Sequence, residues 1–204
     1  MMIGSSGCKR ALVAWAVATS GLLLSPCIAA AAKFEINPIA EKKVSHLPPG
    51  PLFWRIDNFP TLAQAQAAAG PTALAAEVAG KVWLFTLETK GGSSPQGSKV
   101  TEIGPVPAIA APEYLLRVNS VNGLPGVQTR VHTHPGVESF YVLAGELTQK
   151  TARGVSRIEA GQSLAGKAPG TPMEVSSSGT SDLKALVMFV TDATKPFSSP
   201  AQMP

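Results

Sequence analysis

Two histidines and one acid stand closer together than chance spacing requires, in Gly126-VQTRV-His132-Thr133-His134-PGV-Glu138-SFYVLA-Gly145. The chain has only three histidines, and His132 and His134 are separated by a single residue within an apolar run. Side chains at i and i+2 leave a strand on the same face, so this pair points together, either inward or to water. Pro135 and Gly136 then turn the chain, and Glu138 opens the next apolar run beside the pair. Two imidazoles and a carboxylate converging on one point suit a divalent first-row metal. An HxH pair alone on a strand face carries little meaning; the acid at fixed spacing and the flanking glycines give it weight. Alternation extends the set: Gln128 and Arg130 share the face of His132, and Phe140 shares that of Glu138. An arginine two residues before a ligand would clamp a carboxylate substrate or simply meet water at the rim.

The stretch resembles the first cupin motif, G-x5-H-x-H-x3-E-x6-G, at all five fixed residues and every gap between them. Gly161-QSLAGKAPGT-Pro172 resembles the second half-motif, and the resemblance covers about Glu113 to Val190. It implies an all-β, double-sheet antiparallel jelly-roll barrel. It also implies that His132, His134 and Glu138 bind one divalent transition metal, whether Fe, Mn, Cu, Ni or Zn. Dioxygenase, isomerase, decarboxylase and lyase chemistries all occur in such proteins. Glu138, if it partly detaches from the ion, would serve as a catalytic base.

The second motif departs from the pattern, because Met173 stands where a third histidine is usual. Two readings stay open. Met173 is a thioether ligand, which favours copper, or it fills the pocket wall. Glu174 does not replace it, since the next residue along a strand faces the opposite way. His46, on a Pro-rich segment, is a remote candidate for a fourth ligand. Trp83 and Phe85 either line the cavity or belong to plain core.

Short strands must carry these residues. Runs at Lys81–Glu88, Val100–Ile103, Glu113–Val121, Val127–His134, Glu138–Leu143, Gly145–Thr151, Val155–Glu159, Pro172–Ser176 and Leu183–Val190 are mostly bounded by Gly, Pro, Asn or Ser. Such spacing predicts a sandwich or barrel, and no repeat suggests a second one. Residues 33–80 read as an extended arm plus helix. Pro38, Pro48, Pro49, Pro51 and Pro60 argue against long helices or ladders there. Thr61–Ala69 predicts a helix capped by Thr61 and stopped by Gly70-Pro71, and a second helical turn is expected at Thr72–Ala79. The barrel is expected over 81–194, with a C-terminal tail at 195–204.

The first 32 residues read as a cleavable export signal: Lys9-Arg10, an apolar run from Ala11 to Leu24, then small residues Ala29 to Ala32. The expected location is periplasmic or secreted, with no membrane contact after cleavage. Both cysteines, Cys8 and Cys27, fall inside this segment, so the processed chain has no disulfide. Of 17 Lys and Arg, Lys9 and Arg10 also fall there, leaving 15 against 13 Asp and Glu. With no basic cluster left, nucleic acid is excluded as a partner. The expected partner is a small-molecule substrate or ligand, with a homodimer suggested by the resemblance. A small-molecule metalloenzyme is the leading expectation. The alternatives are a copper-sequestering or ligand-sensing cupin without turnover, and a metal-free structural barrel.

Overall fold

In the computed structural model, Met1 and residues 32–204 are described; the expected export signal lies outside the described residues. Fourteen strands and one helix follow in chain order: β1 (Glu35–Val44), β2 (Leu52–Phe59), α1 (Leu62–Ala68), β3 (Ala73–Val78), β4 (Lys81–Thr89), β5 (Ser98–Val106), β6 (Tyr114–Gly123), β7 (His132–Thr133), β8 (Gly136–Ala144), β9 (Glu146–Thr151), β10 (Gly154–Glu159), β11 (Ser163–Leu164), β12 (Met173–Ser177), β13 (Leu183–Asp192) and β14 (Ser199–Pro200). They form three antiparallel sheets. The central sheet runs β1-β6-β13-β8-β11, the second β10-β9-β12-β7-β14, and the third β3-β4-β2-β5.

Strands β6, β13 and β8 of the central sheet are buried on both faces, and alternation sorts their residues between two cores. Leu116, Val118, Val137, Leu186, Met188 and Val190 pack against Trp54, Ile56, Trp83, Phe85 and Leu87 of the third sheet. The opposite face sends Val121, Phe140, Val142, Ala185, Val187 and Phe189 against Leu147, Ile158 and Val175 of the second sheet. These two facing sheets form the barrel that the strand spacing predicts, with the all-β jelly-roll architecture that the resemblance implies. Trp83 and Phe85 therefore belong to the core behind the barrel. Burial on both sides explains why Ala185–Val190 of β13 reads as an unbroken apolar run. Each fully buried Leu or Val there contributes roughly 1.5–3 kcal/mol relative to exposure.

Two expectations for the N-terminal third are corrected. The Pro-rich segment does form ladders: β1 pairs with β6, and β2 pairs with both β4 and β5. Pro38 is tolerated because β1 is an edge strand and its register slips between Pro38 and Ala40. Pro48, Pro49 and Pro51 lie in the connection between β1 and β2. The helical turn expected at Thr72–Ala79 is instead β3, laddered to β4. Its alanines have strong helix propensity, but pairing with a buried neighbour strand outweighs a difference of tenths of a kcal/mol per residue. The helix α1 forms as expected, with the Thr61 hydroxyl accepting from the Gln64 N–H. It covers Phe59, Ala73 and Leu84 on the outer face of the third sheet.

Candidate metal centre

His132 lies on β7 in the second sheet, and Glu138 on β8 in the central sheet. The turn His134-Pro135-Gly136 carries the chain from one wall of the barrel to the other. The expected run from Val127 to His134 is not one continuous strand. Gln128 makes an isolated bridge to Ser176, after which the Val175 N–H donates to the Thr129 hydroxyl rather than to a backbone carbonyl. That side chain interrupts the ladder, and regular strand resumes only at His132, paired with Met173. Alternation across the break is lost. Gln128 is exposed and outside the cavity, while Thr129 lines it.

One ligand atom from each of His132, His134 and Glu138 lies within 4.8 Å of the others. His134 Nε2 and Glu138 Oε2 are 4.0 Å apart. Both imidazoles are held by backbone carbonyls. His132 Nδ1 is 2.9 Å from the Arg130 oxygen and His134 Nδ1 is 2.7 Å from the Phe197 oxygen. A carbonyl only accepts, so each Nδ1 carries the proton and donates it. With Nδ1 so engaged, Nε2 is the ring nitrogen that each histidine can offer a cation.

Electrostatics inside the cluster are those of buried groups. Burial pushes Glu138 up to about 8. Burial also pulls His134 down to about 4, helped by the neighbouring His132 and opposed by the bond to Phe197. Glu138 Oε2 is buried with no hydrogen-bond partner. An orphaned carboxylate oxygen facing two imidazole lone pairs is the arrangement a divalent cation satisfies. The group could hold a metal ion, and the residues fit one.

The cluster opens into a cavity of about 320 Å³, whose wall includes Arg130, Phe140, Val187, Phe189 and Phe197. Arg130 is exposed and Phe140 is buried at 1%. Met173 is 1% exposed, stays out of the cavity wall, and accepts a 3.3 Å hydrogen bond on its sulfur from Gln149 Nε2. His46 lines a different groove of about 720 Å³, formed by the β1–β2 connection and residues 105–114.

Two contributors escaped the sequence reading. Phe197, in the stretch read as a tail, holds His134 through its carbonyl. Its ring packs against His134 and Phe189 at 5.0 and 4.8 Å, and Arg117 lies 4.4 Å over it. Nothing in a Lys-Pro-Phe-Ser tail announces this. Asn119 on β6 is the other; it is buried, lines the cavity, and leaves its carboxamide oxygen unpartnered.

No protein-family profile and no curated protein sequence matches the chain. Solved structures do show likeness to it. The DMSP lyase DddQ from Ruegeria pomeroyi DSS-3 is 22% identical over 42% of this chain and 43% of that one, with a TM-score of 0.37. A cupin superfamily protein from Desulfitobacterium hafniense DCB-2 is 13% identical over 38% of this chain and 68% of that one, with a TM-score of 0.34. The polyketide cyclase RemF from Streptomyces resistomycificus is 15% identical over 44% of this chain and 62% of that one, with a TM-score of 0.37. The chain thus spans less than half the length of the lyase. The stretch from Gly126 to Gly145 runs through β7 and β8, which lie in two facing antiparallel sheets, and the fold is an all-β jelly-roll barrel.

Proposed function

We propose that this chain is an exported cupin that holds one divalent transition metal through His132, His134 and Glu138 and acts on a small organic molecule. The observation that carries this reading is the pair of imidazoles with Nδ1 tied to carbonyls, with His134 Nε2 4.0 Å from the orphaned Glu138 oxygen and a ligand atom of each of the three residues within 4.8 Å of the others. A bound ion would supply Lewis acidity, polarising a carbonyl or acidifying water. The protein's part is to fix three ligands, exclude solvent behind Phe189 and Phe197, and hold or move a proton at Glu138. The carboxyl is neutral near pH 7 without a cation and ionised beside one, so a partly released Glu138 serves as base. Arg130, exposed and part of the cavity lining, is the residue proposed to meet a substrate carboxylate. The bond from Gln149 to the Met173 sulfur, outside the cavity wall, supports Met173 as a packing residue rather than a ligand. Export rests on the leader sequence, and homodimerisation on the family resemblance.

X-ray absorption on the purified, metal-loaded protein tests the ligand set. Two imidazole nitrogens with oxygen in the remaining positions are expected. A sulfur scatterer, or no imidazole, would contradict it.

A further inference from the structure

We propose that Asn119 selects the ligand of this cavity: a largely apolar molecule with a metal-binding oxygen at one end and a hydroxyl at the other. This rests on the metal-site reading above. Of the described residues with a buried side-chain N or O atom that makes no hydrogen bond, only Glu138 and Asn119 line the cavity. Glu138 is accounted for by the cation. Asn119, 4% exposed, is not. A buried carboxamide oxygen left unpaired is destabilising, so a partner absent from the protein itself is the economical explanation. The wall around it is apolar: Val121, Phe140, Leu147, Val175 and Val187.

The sheet register sets the ligand's reach. Phe189 stands opposite both Glu138 and Arg117, and Asn119 lies two residues beyond Arg117, opposite Val187. Glu138 and Asn119 therefore face the same cavity across β13, on the order of 10 Å apart at two strand spacings. A ligand of that length meets the ion with one end and the carboxamide with the other. A hydroxyl suits the second end, because it both donates and accepts and so pairs with either group of the amide. The 320 Å³ volume sits at the small end of ligand cavities and fits a compact molecule, not a polymer.

Two isosteric probes test this: 4-(hydroxymethyl)benzohydroxamic acid and 4-ethylbenzohydroxamic acid. Both present a chelating hydroxamate, and they differ only in hydroxyl against methyl at the far end. Binding is measured by calorimetry on the metal-loaded protein and on Asn119→Leu, with metal content and circular dichroism read on the same samples. In the unsubstituted protein the hydroxymethyl compound binds about tenfold tighter. In Asn119→Leu, folded and still loaded, that preference disappears. Equal affinities in the unsubstituted protein, a preference that survives the substitution, or no binding of either probe would overturn the role of Asn119. A hydroxymethyl preference in the unsubstituted protein stands as support even if the variant misfolds, and tighter binding of the ethyl compound overturns the inference. A protein that takes up no metal overturns this inference together with the metal site, and so separates the two failures.

Discussion

Glu138 and His134 carry opposite consequences for stability in chelator-treated protein. Folded Glu138 keeps its proton up to about pH 8, while its ordinary value is 4.5. Folding thus takes up a proton between those values, and stability falls as pH rises through that window. Folded His134 stays neutral down to about pH 4 against an ordinary 6.5, so its contribution is lost as pH falls from 6.5 toward 4. The two oppose each other from 4.5 to 6.5. Above 6.5 Glu138 acts alone. Urea unfolding of the chelated protein is therefore expected to show a loss of about 1–2 kcal/mol between pH 6.5 and 8. In Glu138→Gln that slope disappears. Stability that rises over this interval would contradict the buried, protonated carboxyl.

At the scale of elements, the second half-motif braces the first. Gly166 has φ +90°, and a Cβ there would collide with the Glu138 carbonyl and the Val137 side chain. Only glycine lets this loop lie on the backbone that carries the acid. Gly145, which ends the first motif at φ +74°, is pinned in the same way against the Asp182 carbonyl. The C-terminal segment braces the other side: β14 ladders onto β7, and the Ala201 N–H donates to the Val131 carbonyl. Removing residues 195–204 deletes the acceptor of the His134 proton. Metal affinity is then expected to fall about 10–100-fold with the barrel still folded, as for other lost ligand-orienting bonds. Titration with Zn²⁺ monitored by calorimetry checks this, and unchanged affinity would show that Phe197 does not position the ligand.

At the scale of the whole molecule, the central sheet serves two cores at once. Leu186 is fully buried on the face away from the cavity. Leu186→Ala is expected to cost about 2–5 kcal/mol in denaturant unfolding. Metal stoichiometry should not change, because the lost contacts lie on the opposite face from Glu138.

Much of this design was readable in the residues. The three candidate ligands and the strand-rich second half follow from spacing and alternation, since both depend on short-range chemistry. What was hidden depends on distant pairing. Prolines in residues 33–60 mask strands that survive because Pro38 sits at an edge and a register slip. The Thr129 hydroxyl breaks an otherwise plausible strand and turns Gln128 away from the cavity. Asn119 looks like any polar residue in an apolar run until β6 closes the barrel around it. Phe197 gains its place only when the chain's end returns to β7.

The most direct test is elemental analysis of the protein purified without chelator from its native source, beside His132→Ala purified in the same way. Removing one of three ligands leaves too few donors to retain the ion. The prediction is about one divalent transition metal per chain in the first and essentially none in the second. Equal metal content in both, or none in the unsubstituted protein, would contradict the account.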